Sequence, residues 1–276
     1  MIHYITSKLA EQCSVAYTFN MTCFDAQRNP FGGCVVDASA LPQDPEEFKA
    51  RLEYSIAQWK AEGLLVAWLA LQRAEAQLIP VCINAGFVFH HAEGETLQMT
   101  LALVPGSFVP PYSTHYIGAG GVVIDKDNRL LVVSEKYRQM PGRSQITSTR
   151  RLKLPGGALQ EGEHIAAAVI REVKEETGID AKFEFIACFR HWHNYRYGKS
   201  DIYFVCRLTP LSTEITMDTV EIAECLWLPV NEFLDDPEVH PFNKMIVRAA
   251  TGPRPGLSEM YLDEYNSETH ELLVLQ

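Results

Sequence analysis

Apolar residues recur in two rhythms over the first hundred positions. Phe48, Leu52, Ile56 and Trp59 fall at helical spacing, and Asp44 stands where an N-cap belongs, so 45–62 predicts a helix. The run 64–71 predicts a buried strand, and 87–91 and 97–104 predict two more. Between them, 75–85 predicts a second helix or helical turn that stops at Gly86, with Pro80 starting or kinking it. Phe31-Gly32-Gly33 marks a turn ahead of the apolar Cys34-Val35-Val36. This alternation implies a small α/β domain over 1–110. Pro105, Gly106, Pro110 and Pro111 then mark a linker. Beyond it, strands are expected at 118–124 and 130–133 around a turn at 125–129, and again at 183–189 and 202–208. A short helix begins at 231–234 and a terminal helix spans 243–250, stopped by Gly252-Pro253-Arg254-Pro255-Gly256. The second domain is therefore placed at 111–250, leaving 251–276 as an acidic tail with a candidate strand at 272–275.

The densest pattern lies inside the second domain. From 163 to 177 the chain is rich in Ala, Glu, Val and Ile, and Gly178 occupies a C-cap position. Ile165, Val169 and Val173 recur every four residues and predict a buried stripe. Glu172, Glu175 and Glu176 lie three and four residues apart and share another face. Three carboxylates on one face repel one another unless a cation neutralises them. Oxygen-only donors select a hard ion, Mg²⁺ or Mn²⁺. Arg171 is placed to pair with the row and hold it in register. Leu154-Pro155-Gly156-Gly157 allows backbone to approach a ligand closely. A Glu-rich helix by itself reads as a solvated face with internal ion pairs. Here the glycines, the Arg171-Glu172 pair and Gly178 arrive together at fixed spacing.

Gly157, Glu163 and Arg171-Glu172-Val173-Lys174-Glu175-Glu176-Thr177-Gly178-Ile179 resemble the Nudix box at every defining position. The resemblance implies an α/β (α+β) fold: a Nudix α/β/α sandwich with a mixed sheet. It implies a hydrolase that cleaves a diphosphate joining a nucleoside to another group. Glu172, Glu175 and Glu176 would be the metal ligands, Gly156 would lend its backbone carbonyl or a close backbone contact, and Arg171 would orient the carboxylates. The general base in this family is a glutamate of the box, here Glu175 or Glu176, or one on a loop before the last strand. Glu221, six residues ahead of Trp227, occupies that loop position; it reads equally as a surface acid.

Residues 59–63, Trp68-Leu69 and 86–93 resemble the domain that precedes the box in one Nudix branch. That branch holds plant ADP-ribose and NADH pyrophosphatases and an animal protein encoded antisense to a fibroblast growth factor gene. The preceding domain resembles the second half of an acetyltransferase fold, although no acyl-CoA phosphate loop is visible in the sequence. Its expected role is dimer formation or a wall of the substrate cleft. The adjacent His90 and His91 are expected on opposite faces of a strand.

Arg190-His191-Trp192-His193-Asn194-Tyr195 leads to Gly198-Lys199-Ser200-Asp201, and Arg190, His193 and the latter four residues match the same branch. Aromatic and basic residues together suit stacking on a base and holding phosphate, which makes Arg190, Trp192, His193, Tyr195 and Lys199 candidate substrate contacts. An aromatic hairpin packed on a neighbouring domain is the other reading for Trp192 and Tyr195. The stretch 136–153 is basic after Glu135 and includes Arg151; it reads either as a receiver of substrate phosphates or as a solvated loop. Leu152 stands where relatives often carry Trp.

The 276 residues carry a net charge of −11, which argues against a nucleic-acid surface and requires a local cation for an anionic substrate. The seven cysteines form no Cys-x-x-Cys pair and read as reduced thiols of a cytoplasmic protein. The first ten residues lack a signal-peptide core, and no apolar run approaches the ~18 residues of a membrane span. The expected enzyme acts on ADP-ribose or NADH with Mg²⁺ or Mn²⁺, as a homodimer. The alternatives are a non-catalytic ADP-ribose or dinucleotide sensor or scaffold, or a hydrolase for coenzyme A, nucleoside triphosphates or capped RNA.

Overall fold

The computed structural model describes residues 22–136, 152–253, 256–261, 271 and 273–275. Arg151 and nearly all of the basic 136–153 stretch lie outside the described residues. The chain divides into two compact units at Ser113/Thr114.

The first unit comprises β1 (Ala26–Arg28), β2 (Cys34–Val36), α1 (Pro45–Ala61), β3 (Val66–Gln72), α2 (Ile79–Asn84), β4 (Val88–Glu93) and β5 (Thr96–Ala102). Its five-stranded sheet has the order β1-β2-β3-β5-β4 and is mixed, because β2 runs parallel to β3. Helix α1 starts where its sequence dictates. The Asp44 carboxylate accepts from the amides of Glu46 and Glu47, and Pro45 occupies a first-turn position where no amide is needed. Phe48, Leu52 and Trp59 are then buried in one apolar cluster with Leu69, Leu71 and Met99. The expected second helix is divided into a 3₁₀ turn over 73–78 and the short α2.

The histidine expectation is overturned. The β4–β5 register slips between Phe89 and His91, a β-bulge that adds one residue and undoes the strand's alternation. His90 and His91 therefore meet, with their Nδ1 atoms 2.6 Å apart. His90 Nε2 lies 2.7 Å from the Pro110 carbonyl and must carry a proton to donate there. His91 stacks flat on Tyr112 at 4.2 Å.

The second unit comprises β6 (His115–Val123), β7 (Arg129–Glu135), β8 (Gly156–Ala158), α3 (Ile165–Thr177), β9 (Ala181–Arg196), β10 (Lys199–Pro210), β11 (Ile222–Pro229), α4 (Val230–Asp235), α5 (Pro241–Thr251), β12 (Leu257–Glu259) and β13 (Leu273–Leu275). Its main sheet has the order β13-β12-β9-β10-β6-β8, with β6 parallel to β10 and the other pairs antiparallel. Strands β6 and β7 flank the expected turn but join different sheets, because β7 pairs with β11. Helix α3 packs on one face through Val169 and Val173, which share a core with Ala119, Cys206 and Leu208. Ile246 and Val247 of α5 share the other core with Val122 and Val205. The result is an α/β/α sandwich. Strands β9 and β10 run straight through the aromatic stretch and meet at a two-residue turn. Tyr197 and Gly198 both have positive φ, 51° and 70°, as the twist of such a hairpin demands. The segment after 251, read above as a tail, adds two short strands to the β9 edge. The described cysteines are free thiols, and no described helix is long and apolar enough to cross a membrane.

The β6–β7 turn is held by Asp125, whose carboxylate accepts from the amides of Asp127 and Arg129 and from Arg129 Nε. Burial alone would raise this carboxyl, but those bonds and the Arg129 charge outweigh it and hold it below the ordinary value. A depressed carboxyl stabilises the fold above its unfolded value near ~3.9, and that contribution is lost as pH falls through the lower folded value. Asp125→Ala is expected to cost about 1–3 kcal/mol at pH 7 in urea denaturation, a difference that shrinks under strong acid.

Candidate active site

Helix α3 begins two residues after the expected start and ends at Gly178, whose φ of 77° forms the C-cap. Its charged face is organised by Arg171. Arg171 Nε and Nη2 grip the two oxygens of Glu163 at 2.8 and 2.9 Å. Nη1 bonds Glu172 Oε1 and Glu175 Oε2, each at 2.9 Å, and Nη2 also reaches the Ala158 carbonyl at 3.2 Å. One guanidinium thus ties three carboxylates to the β8 backbone. The Glu163 carboxyl is lowered chiefly by its bonds from Arg171. Glu172 is raised, because burial and the neighbouring Glu175 and Glu163 outweigh the stabilisation from Arg171.

Glu176 is placed differently. It is buried, and its Oε2 accepts from the Gly156 amide at 2.9 Å. In this structure the Gly156 amide is donated to a side chain of α3, which is a different contact from the one with a ligand expected of it. Gly156 has φ +149°, and a Cβ there would lie 2.4 Å from the Ala119 carbonyl and 2.6 Å from the Tyr203 hydroxyl. Gly157 leaves room of another kind: its Cβ would stand 2.6–2.7 Å from the carboxylate of Glu172. Lys153 Nζ lies 3.9 Å from Glu176 Oε1 and also bonds Glu135. Burial pushes the Glu176 carboxyl up to about 7, against the lowering effects of Lys153 and the Gly156 amide. The Cys225 thiol is pushed up to about 12, by burial first and by Glu176 second.

These residues suit a hard divalent cation by donor chemistry: three carboxylates, a Gly-Gly backbone beside them, and one acid that is costly to ionise without a partner. Among the described residues no three carboxylate, thiol or imidazole groups already converge as a formed metal centre. The reason is visible. Arg171 draws Glu172 and Glu175 to itself, while Gly156 and Lys153 hold Glu176.

The remaining predicted contacts separate across the sheet. Asp201 and Tyr203 on β10 lie opposite Trp192 and Arg190 on β9. Arg190 Nη2 bonds Asp201 Oδ2 at 2.6 Å, and its guanidinium sits over Trp192, Tyr203 and Phe242 at 5.2–5.7 Å. Arg190 Nε is buried without a hydrogen-bond partner among the described residues. Tyr195 is 5.1 Å from Trp192 and 6.2 Å from Tyr116. His193 instead sits 3.1 Å from Ser200 Oγ and beside His191, whose Nε2 is 3.0 Å from that of His115. Strand alternation puts this histidine row on the face opposite Arg190 and Trp192. Lys199 opens β10 across from Arg196. Glu221 is exposed just before β11, and its carbonyl accepts from the Lys136 amide at 2.8 Å. Sequence reasoning did not single out Glu135 or Tyr203, nor Lys153 as a neighbour of Glu176, and it placed Asp201 in a motif without giving it a partner. Tyr203 had a signal in hindsight: Gly118 and Gly120 are two residues apart on a strand, and both make way for its ring.

A mixed sheet between two helix layers carries an arginine-tied acid row beside a Gly-Gly strand. The comparisons with known proteins name the family that shares this arrangement. A family model for the Nudix hydrolase domain matches residues 24–103, and one for the NUDIX domain matches 114–249. Nudix hydrolase 8 of Arabidopsis thaliana is 36% identical over 86% of this chain, which spans 63% of that protein. Nudix hydrolase 2 of Arabidopsis thaliana is 34% identical over 80% of this chain and 77% of its own length. Human nucleoside diphosphate-linked moiety X motif 6 is 31% identical over 84% of this chain and 73% of its own length. The chain belongs to the Nudix hydrolase family, whose members generally use divalent metal ions.

Glu176 gives a sharp test of the site's electrostatics. A raised carboxyl costs stability progressively as pH climbs from its unfolded value towards about 7, and in full above that. Glu176→Gln, in chelator, is expected to stabilise the protein at alkaline pH by up to ~3 kcal/mol, and by almost nothing at pH 4. Chemical denaturation at both pH values reads the difference; a destabilised variant at alkaline pH would contradict it.

Proposed function

We propose that this protein is a Mg²⁺- or Mn²⁺-dependent pyrophosphohydrolase acting on a nucleoside diphosphate joined to a second moiety. ADP-ribose and NADH are the leading substrates. Water would convert ADP-ribose to AMP and ribose 5-phosphate, and NADH to AMP and reduced nicotinamide mononucleotide. The observation that carries this reading is the pair Glu172 and Glu175 tied by Arg171, with Glu176 held beside them by the Gly156 amide. The names of the human and plant relatives support the class.

Glu172, Glu175 and Glu176 would hold the cation. Bound there, it would neutralise pyrophosphate charge and acidify the attacking water. Arg171 keeps Glu172 and Glu175 in register. The base is assigned to Glu175, whose side chain is more than half exposed, or to Glu221 on its loop. Arg190, Trp192 and Tyr195 would receive the nucleoside by stacking, which suits their shared face. Lys199 and Arg151 are assigned to the ribose and phosphates; His193, expected among these contacts, lies on the opposite face of the sheet from Arg190 and Trp192 and is left out.

The test is a panel of ADP-ribose, NADH, NAD, coenzyme A, nucleoside triphosphates and capped RNA with each metal, reading AMP or phosphate release. Glu175→Gln and Glu176→Gln are expected to lower turnover at least ~100-fold in a folded protein. Near-normal rates in both would place the chemistry elsewhere. Trp192→Ala is expected to raise KM severalfold with kcat little changed; an unchanged KM would assign that ring to packing.

A further inference from the structure

A carboxylate reaches helix α3 from far along the chain. Glu271 stands two residues ahead of β13, and its Oε2 and Oε1 accept from the amides of Ile165 and Ala166 at 3.0 and 3.3 Å. These are the first amides of α3, which have no partner inside the helix. The local sequence does not serve them. His164 holds the N-cap position with extended backbone, φ −77° and ψ 151°, and its side chain makes no capping bond. The adjacent acid, Glu163, is occupied at both oxygens by Arg171. Strand β13 is tied to the same sheet through β12, and Leu273 packs on the core that contains Val169 and Val173.

We propose that Glu271 is a positioning residue: an N-cap supplied from the C-terminal segment to the helix that carries the acid row. A carboxylate there satisfies two amides and complements the positive end of the helix dipole. The capped turn adjoins Glu163, Glu163 grips Arg171, and Arg171 grips Glu172 and Glu175. Loosening the first turn therefore loosens the row. The positioning role rests on the metal reading above; the cap itself does not.

Three full-length variants test this: Glu271→Ala, Glu271→Gln, and Glu271→Ala combined with His164→Asp, which places a cap in the local sequence. Amide exchange at Ile165 and Ala166 by NMR reads the helix start, and water-proton relaxation reads Mn²⁺ affinity. A cap of typical strength shifts an equilibrium about fivefold. Glu271→Ala is expected to speed exchange at both amides by about that factor and to weaken Mn²⁺ binding about twofold to fivefold. Glu271→Gln, which keeps an acceptor and loses the charge, falls between. The combined variant recovers both quantities. Unchanged exchange in Glu271→Ala would overturn the cap. Faster exchange with unaltered Mn²⁺ affinity, or rescue of exchange without rescue of affinity, would overturn the positioning role. Wild-type protein that binds no Mn²⁺ would overturn the metal reading and the positioning role together, while the exchange rates still decide the cap.

Discussion

The Arg171 guanidinium is the interaction on which the site depends. Left alone, Glu172 and Glu175 on neighbouring turns of α3 would repel each other and Glu163, which stands just ahead of the helix. Arg171 converts the repulsion into a fixed array by spending four side-chain bonds and one backbone bond. A lysine would bring the charge without the fork, and could not span the same partners. The arrangement is bought at the expense of stability at one place: Glu176 is buried beside the row with its ionised form disfavoured. Such a residue is better explained by what it does than by what it holds together.

Much of this was legible in the sequence, because local pattern determines it. The boundaries of α1 follow from Asp44, Pro45 and the Phe48–Trp59 stripe. The acid face of α3 follows from residue spacing alone, and its end follows from Gly178. The Gly156-Gly157 pair was read as room for a ligand; in the structure the glycines also make room within the protein, since Tyr203 and Ala119 crowd one and Glu172 the other.

What escaped the sequence depends on partners far away along the chain. Tyr203 lies on a strand that reads as ordinary sheet, and the Arg190 partner of Asp201 is not apparent, until β9 is paired beside them. Lys153 and Glu135 meet through a single bridge between Val133 and Lys153. The His90–His91 pair defeated an alternation rule because a bulge adds one residue, and nothing in the local sequence marks a bulge. Glu271 sits 106 residues from the amide it caps. The aromatic hairpin shows the same limit in another form. Its composition pointed to nucleotide contacts, but only strand parity divides it into an Arg190–Trp192 face and a His191–His193 face.

The central claim is that the arginine-tied acid row of α3 holds a divalent cation. Anomalous scattering from a crystal equilibrated with Mn²⁺ tests it most directly. The account predicts one or more strong peaks within coordination distance of Glu172, Glu175 and Glu176, on the side of the row that faces Gly156 and Gly157. A map without a peak there at saturating Mn²⁺, or with its peaks only at other residues, would contradict it.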